Sequence, residues 1–307
     1  MLGCKLDAGQ VSLTWGNAAR MNKTVFLDYT QAELDLYYDQ RRWHPNAEVE
    51  IERYATRSAA ALARFCPRTY RYGSSEDETL DWFPAGGATA PAVIFMHGGA
   101  WINFTKDDFS FVAAGFAERG FHTCVLNFAG LKSVRMPEML AQVCRGIAWV
   151  AEHRVELGVT PGRLHLCGHS SGAHLAALAL MSDWPALGVD ARGPIHSATM
   201  ISGVYDLEPV MLSARRSYVR LETAEVSALS PIRHADRIRC PVLVAFCEKD
   251  TPEYQRHAQA LYEALDQRGK PVELLYLKGA NHFDSIFALE QPESDLSKRI
   301  AAAILRT

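Results

Sequence analysis

Ser170 sits in the run Gly168-His169-Ser170-Ser171-Gly172, which spells G-x-S-x-G. A serine hydroxyl is a poor nucleophile until a base takes its proton and the backbone presents it outward. The flanking residues suit that presentation. Leu164-His165-Leu166-Cys167 reads as a short buried strand, and Ala173 to Leu180 is rich in helix formers. Strand, sharp turn and helix form the setting of a nucleophile elbow, in which the glycines relieve crowding around a strained serine. Alone, the pattern is equally an ordinary Gly-rich turn, so its weight depends on partners elsewhere in the chain.

Two partners follow in order. Cys240 to Cys247 reads as a buried strand that runs into Glu248-Lys249-Asp250-Thr251-Pro252-Glu253. A carboxylate just past the end of such a strand lies on the ligand-binding edge of an open sheet. Asp250 is the chosen acid. Glu248 and Glu253 are rivals, and a plain helix cap before Pro252 is the bland alternative. Val272 to Leu277 reads as the next strand, and His282 follows it in a short loop. Serine, then acid, then histidine is the chain order of an α/β-hydrolase triad. In that arrangement His282 takes and returns the proton, and Asp250 fixes its tautomer.

A fourth part lies upstream. The apolar strand Pro91 to Met96 ends in His97-Gly98-Gly99-Ala100-Trp101. Glycines there let main-chain N–H groups approach a developing oxyanion. Gly98 or Gly99, or both, with the N–H of Ser171, are the expected oxyanion hole, with His97 as a brace for the loop.

The elements that must position these groups are legible as alternation. Residues 28–65 read as helical, with strands at 68–72 and 79–83. Strands then recur at 91–97, 122–128, 163–169, 197–202, 241–247 and 271–277. Helices fall near 108–119, 136–157, 171–182 and 253–268, and one closes the chain. Such βα alternation predicts a mostly parallel central sheet with helices on both faces. At 307 residues, 1–307 reads as one domain. The N-terminal helices (1–65) and an insertion at 203–239 stand outside the minimal core and are expected to form a small lid.

Composition excludes other classes. A net charge of −3 offers no basic footprint for nucleic acid. No apolar run is long enough to span a bilayer. Met1 to Gly16 has no apolar core of a secretory signal, and Cys4 lacks the hydrophobic stretch of a lipoprotein site. Seven scattered cysteines without C-x-x-C spacing read as reduced thiols, so a cytoplasmic protein is expected. No H-x-x-E-H cluster points to a metal and no cysteine occupies an elbow, so neither a metal hydrolase nor a thiol hydrolase is expected. No cofactor is expected.

The motifs HGGAW, GHSSGAH, SGVYDLEP and NHFD, with DTPEY at the acid, resemble the kynurenine formamidase (arylformamidase) group of HGG-type α/β-hydrolases. Asp28-Tyr29-Thr30, Glu33-Leu34-Asp35 with Tyr38, and Lys106-Asp107 extend the likeness over roughly residues 28–287. The resemblance implies the α/β-hydrolase fold, Ser170, Asp250 and His282 as the triad, and hydrolysis of the formyl amide of N-formylkynurenine. It implies a small-molecule aromatic substrate and admits a homodimer. A flat apolar slot for the aromatic amine is expected from Trp101, Phe104, Tyr205 and Phe283. Arg215, Arg216 and Arg220 are candidates for a charged partner of the substrate's acid end, against the plain reading of a surface charge run. The other readings are a carboxylesterase and, more remotely, an inactive binding protein on the same fold.

Overall fold

The computed structural model describes residues 23–87, 89–190 and 193–306. The Met1–Gly16 segment and Cys4, read above for targeting, lie outside them. Among the described residues there are ten strands: β1 Thr24–Phe26, β2 Tyr29–Thr30, β3 Arg68–Arg71, β4 Thr79–Phe83, β5 Ala90–Met96, β6 His122–Leu126, β7 Val159–His169, β8 Ser197–Ile201, β9 Val242–Cys247 and β10 Val272–Leu277. The α-helices are α1 Gln31–Tyr37, α2 Gln40–Trp43, α3 Ala47–Phe65, α4 Ala113–Glu118, α5 Met136–Glu152, α6 Ser171–Leu180, α7 Leu207–Leu212, α8 Arg216–Val219, α9 Thr223–Ala228, α10 Pro252–Asp266 and α11 Asp295–Leu305.

β3 to β10 form one eight-stranded sheet in the order β10-β9-β8-β7-β5-β6-β4-β3. β5 to β10 run parallel, and β4 and β3 complete one side antiparallel. This is the α/β-hydrolase arrangement. The strands read as continuous apolar runs because both faces are covered. Along β5, Ala92, Ile94 and Met96 enter one core cluster, while Val93 and Phe95 enter the other. Helices α5, α6 and α10 contribute to the first cluster, and α4 and α11 to the second.

From β5 the chain steps to β6 on one side, and from β7 it steps to β8, β9 and β10 on the other. The carboxyl ends of β5 and β7 therefore flank the topological switch point, where open α/β sheets bind ligands. His97–Trp101 and Ser170 follow those two ends.

Two expectations need correction. The stretch 28–65 is not one helical run. A two-stranded hairpin opens it, and three separate helices follow. The break between α2 and α3 lies at His44, whose backbone is extended. Pro45 follows, and the residue before a proline is driven out of the helical region. The helix expected near 108–119 is α4 alone, preceded by two 3-10 turns at Lys106–Asp108 and Ser110–Val112. Thr105 and Asp108 close a capping box around the first turn.

The insertion folds as α7 to α9 and a 3-10 stretch at Pro231–Arg237. It packs against the N-terminal segment. Asp35 accepts from the Ala214 N–H at 2.6 Å, and the Gln31 side chain donates to the Leu212 carbonyl at 2.9 Å.

Candidate active site

Ser170 occupies the turn between β7 and α6 with φ 55° and ψ −122°, a conformation that a side chain rarely adopts. Its neighbours must be glycines. A Cβ on Gly172 would lie 2.2 Å from the Met96 carbonyl oxygen, and one on Gly168 would lie 2.5 Å from the Gly172 oxygen. The elbow is thus wedged between its own helix and the end of β5.

The hydroxyl of Ser170 lies 3.0 Å from Nε2 of His282, and Nδ1 of His282 lies 3.0 Å from Oδ1 of Asp250. All three residues are buried. Asp250 Oδ2 accepts from the Ser202 hydroxyl at 2.6 Å and from the Cys247 N–H at 2.9 Å. Burial pushes the Asp250 pKa up. The hydrogen bond and charge of His282, the Ser202 hydroxyl and the Cys247 N–H outweigh burial and hold it below the usual carboxylate value. An ionised Asp250 can only accept. His282 therefore carries its proton on Nδ1 and offers the Nε2 lone pair to Ser170. The rival carboxylates are engaged elsewhere. Glu253 is fully buried against Arg256 and the Tyr38 hydroxyl, and Glu248 accepts from the Gly279 N–H.

Neighbouring residues hold His282 in place. His169 donates through Nε2 to the His282 carbonyl at 2.9 Å, and burial keeps its own pKa down at about 3, so it stays neutral. His44 packs edge-on against Phe283, with its pKa lowered to about 4 by burial and then by the charge of His282.

The His97–Trp101 loop lies against the elbow. A Cβ on Gly98 would sit 3.0 Å from the Ser170 Cβ. Gly99 has φ +113°, and a Cβ there would meet the Asn103 carbonyl oxygen at 2.1 Å. The N–H groups of Gly98, Gly99 and Ser171 meet no acceptor among the described residues. The Trp101 N–H donates to the Ser171 hydroxyl at 3.1 Å, tying loop to elbow. His97 braces the loop as anticipated. Its Nδ1–H donates to the Gly98 carbonyl, and its ring stacks on Phe128 at 4.5 Å.

A cavity of about 560 Å³ opens beside Ser170 and His282. Phe104 and Phe283 line it, with Tyr38, Tyr54 and Tyr254. Trp101 and Tyr205 do not, contrary to expectation. Both are buried in the first core cluster. Trp101 Nε1–H is spent on His174 Nδ1 at 3.2 Å. Arg215 lines the cavity, whereas Arg216 and Arg220 are exposed on the outer surface. Sequence reasoning missed Ser202 and the tyrosines. The signals for Ser202 were its place at the head of SGVYDLEP and at the end of a strand beside the acid strand. Among the described residues no cluster of three or more metal-ligating side chains occurs. No helix among them is long and apolar enough to cross a membrane.

The model of the prolyl oligopeptidase family matches residues 138–302, more than half of the chain. The chain belongs to that family. A second family model, BD-FAE, matches residues 82–187 of the hydrolase. It is 29% identical to a kynurenine formamidase of Danio rerio over 89% of this chain and 96% of the relative. It is 28% identical to esterase LipQ of Mycobacterium tuberculosis over 78% of this chain and 64% of the relative. Among solved structures, a thioesterase candidate from Silicibacter superposes with a TM-score of 0.77 at 24% identity, covering 88% of this chain and 99% of that one. Esterase LipW of Mycobacterium marinum superposes with a TM-score of 0.67 at 17% identity, covering 87% and 91%. Fold and relatives together make this chain a serine hydrolase acting on a small amide or ester.

Proposed function

We propose that Ser170 is the nucleophile, His282 the general base and acid, and Asp250 the group that orients and stabilises the base. Gly98, Gly99 and Ser171 supply the oxyanion hole, and the reaction is hydrolysis of an aryl formamide such as N-formylkynurenine. The observation that carries this reading is the hydrogen-bonded line from Asp250 through His282 to Ser170, ending in an aromatic cavity.

Ser170 Oγ attacks the formyl carbon as its proton passes to His282 Nε2. The carbonyl electron pair moves onto oxygen, where the N–H groups of Gly98, Gly99 and Ser171 receive it. Donors of this kind contribute roughly 100- to 1000-fold each to turnover. The C–N bond then breaks, and His282 returns the proton to the departing arylamine. That leaves a formyl ester on Ser170. Water, deprotonated by the same imidazole, attacks the ester, and formate leaves as Ser170 recovers its proton. A formyl group places almost no steric demand on the acyl side, which suits a serine seated at the buried foot of the cavity.

The N-terminal helices and the 203–239 insertion act as the lid of one domain, since both contribute walls of the cavity. The described cysteines are all free, which supports a reducing, cytoplasmic setting. The test compares formate release from N-formylkynurenine with hydrolysis of short p-nitrophenyl esters, for the wild type and Ser170→Ala. The reading expects the formamide to be preferred by orders of magnitude and both activities to vanish in the variant. Turnover of esters alone would make the enzyme a carboxylesterase and bring it closer to the esterases LipQ and LipW.

A further inference from the structure

The cavity beside Ser170 carries charge as well as aromatic surface. Asp35, Asp39, Arg41, Arg42 and Arg215 all line it. Four of these are accounted for locally. Asp35 accepts from the Ala214 N–H and the Gln31 side chain, and Asp39 accepts from the Arg42 N–H at 3.1 Å. Arg41 lies 3.4 Å from Glu48, and Arg42 is exposed to solvent.

Arg215 differs. It is half-buried where α7 turns into α8, and no carboxylate of the described residues pairs with it. Its neighbours are uncharged. Nη2 donates to the Tyr38 carbonyl at 2.5 Å, and the Tyr254 and Tyr218 hydroxyls lie beside it. The rings of Tyr38 and Trp101 face the guanidinium, each centroid 5.7 Å away. A guanidinium is charged at every working pH and has more N–H donors than these contacts use. Withdrawing such a charge from water without a counter-ion is costly, and ring faces recover only part of the cost. The carbonyl and the two rings also fix its orientation, so the remaining donors are presented as a rigid fork. A planar fork of this kind matches a carboxylate.

We propose that Arg215 is the anchor for a substrate carboxylate, so that the preferred substrates are amides or esters whose leaving group bears a free carboxylate. This deepens the reading of Ser170 as nucleophile and rests on it. A formyl carbon bears only hydrogen, so for a formamide the anion belongs to the part that departs. The departing product keeps its contact with Arg215 after the C–N or C–O bond breaks, and product release then depends on the same residue.

The test uses matched pairs: 3-acetoxybenzoate against 3-acetoxybenzamide, and 3-formamidobenzoate against 3-formamidobenzamide. Each pair differs only in a carboxylate against a neutral amide. Wild type, Arg215→Gln and Arg215→Lys are compared on both pairs, and benzoate and benzamide are compared as competitive inhibitors of the wild type. The wild type should prefer the anionic ester by roughly 10- to 100-fold, the range of a hydrogen bond to a charged group. Arg215→Gln should raise KM on the anion far more than on the neutral ester, so that the preference falls toward unity, and Arg215→Lys should restore part of it. Equal slowing of both esters would make Arg215 a structural brace and overturn the proposal. Equal inhibition of the wild type by benzoate and benzamide would also overturn it, without reliance on a variant. Ester discrimination with no cleavage of either formamide leaves the anchor standing and removes the formamidase reading. Formamide cleavage indifferent to the carboxylate does the reverse.

Discussion

Replacing Asp250 with asparagine tests the proposed triad without changing its volume. Every contact to the Asp250 carboxylate is a donor: His282 Nδ1–H on one oxygen, the Ser202 hydroxyl and the Cys247 N–H on the other. An amide offers one oxygen and one NH2. The hydroxyl of Ser202 can rotate and accept, but the Cys247 N–H belongs to the main chain and cannot. Turning the NH2 toward Cys247 sets two donors face to face at the 2.9 Å now spanned by a hydrogen bond. Leaving a buried donor unpaired costs roughly 1–3 kcal/mol, a bias of roughly 5- to 150-fold against that orientation. The NH2 therefore turns toward His282, which must then accept at Nδ1 and carry its proton on Nε2. A protonated Nε2 cannot take the Ser170 proton. The residual competent fraction also lacks the carboxylate charge beside the imidazolium, worth about another 10- to 100-fold. Together these predict a fall in kcat of about 10²–10⁴ for Asp250→Asn. The assay is steady-state hydrolysis of p-nitrophenyl acetate, with thermal unfolding to show that the variant is folded. A folded variant with kcat within about 10-fold of the wild type would refute both the tautomer argument and the role of Asp250.

Two further outcomes follow from the same geometry. Gly99→Ala forces a Cβ to 2.1 Å from the Asn103 carbonyl at φ +113°, so the loop must shift; kcat on p-nitrophenyl acetate should drop roughly 100- to 1000-fold with KM little changed, as for loss of one oxyanion donor. Ser202→Ala removes a donor to a buried carboxylate whose pKa lies below its unfolded value of about 3.9. The stabilisation from such a group is present above the unfolded pKa and lost as pH falls through the folded one. The variant should therefore be about 1–3 kcal/mol less stable than the wild type at pH 7, and urea titrations should show the deficit shrinking below about pH 4. A deficit that persists undiminished at pH 3 would break the link to the ionised carboxylate.

The sheet was legible because its strands are buried on both faces, so β5, β7, β8 and β9 stand out as apolar runs between polar turns. The elbow was legible because Gly168 and Gly172 are forced by backbone contacts closer than any side chain allows. Asp250 and His282 could be picked out because each follows such a run. What stayed hidden depends on tertiary packing. Ser202 opens the SGVYDLEP motif, but nothing in that motif marks it as a partner of the acid, and only its approach to within 2.6 Å of Asp250 gives it a role. Trp101 and Phe104 lie in the same loop, and composition cannot say which ring turns into the core and which into the cavity. The three arginines of the insertion are chemically equal in sequence. The short turn of α8 decides that Arg215 faces inward while Arg216 and Arg220 face water. The helix break at His44 was marked by Pro45, but the apolar periodicity on either side masked it.

The non-glycine residues with positive φ at the site are Ala100, Trp101, Phe104, Ser170 and Ser202, all just beyond the carboxyl ends of β5, β7 and β8. Each such position costs on the order of 1–3 kcal/mol and persists only where the surroundings over-determine it. The sheet and its two flanking cores supply that constraint, and the strain holds the proposed oxyanion donors and Ser170 toward the cavity. Ser170 allows the cost to be measured. Ser170→Ala and Ser170→Gly both lose the bond to His282, so the difference between them isolates the Cβ. Glycine accepts φ 55°, ψ −122° freely, which relieves about 1–3 kcal/mol. Its greater freedom in the unfolded chain costs about 0.5–1 kcal/mol. Ser170→Gly should therefore equal or exceed Ser170→Ala in stability by up to about 2.5 kcal/mol, read from paired urea unfolding curves, with both variants inactive. A glycine variant clearly less stable than the alanine variant would mean that the elbow is relaxed. Ser170 would then be held out by packing alone.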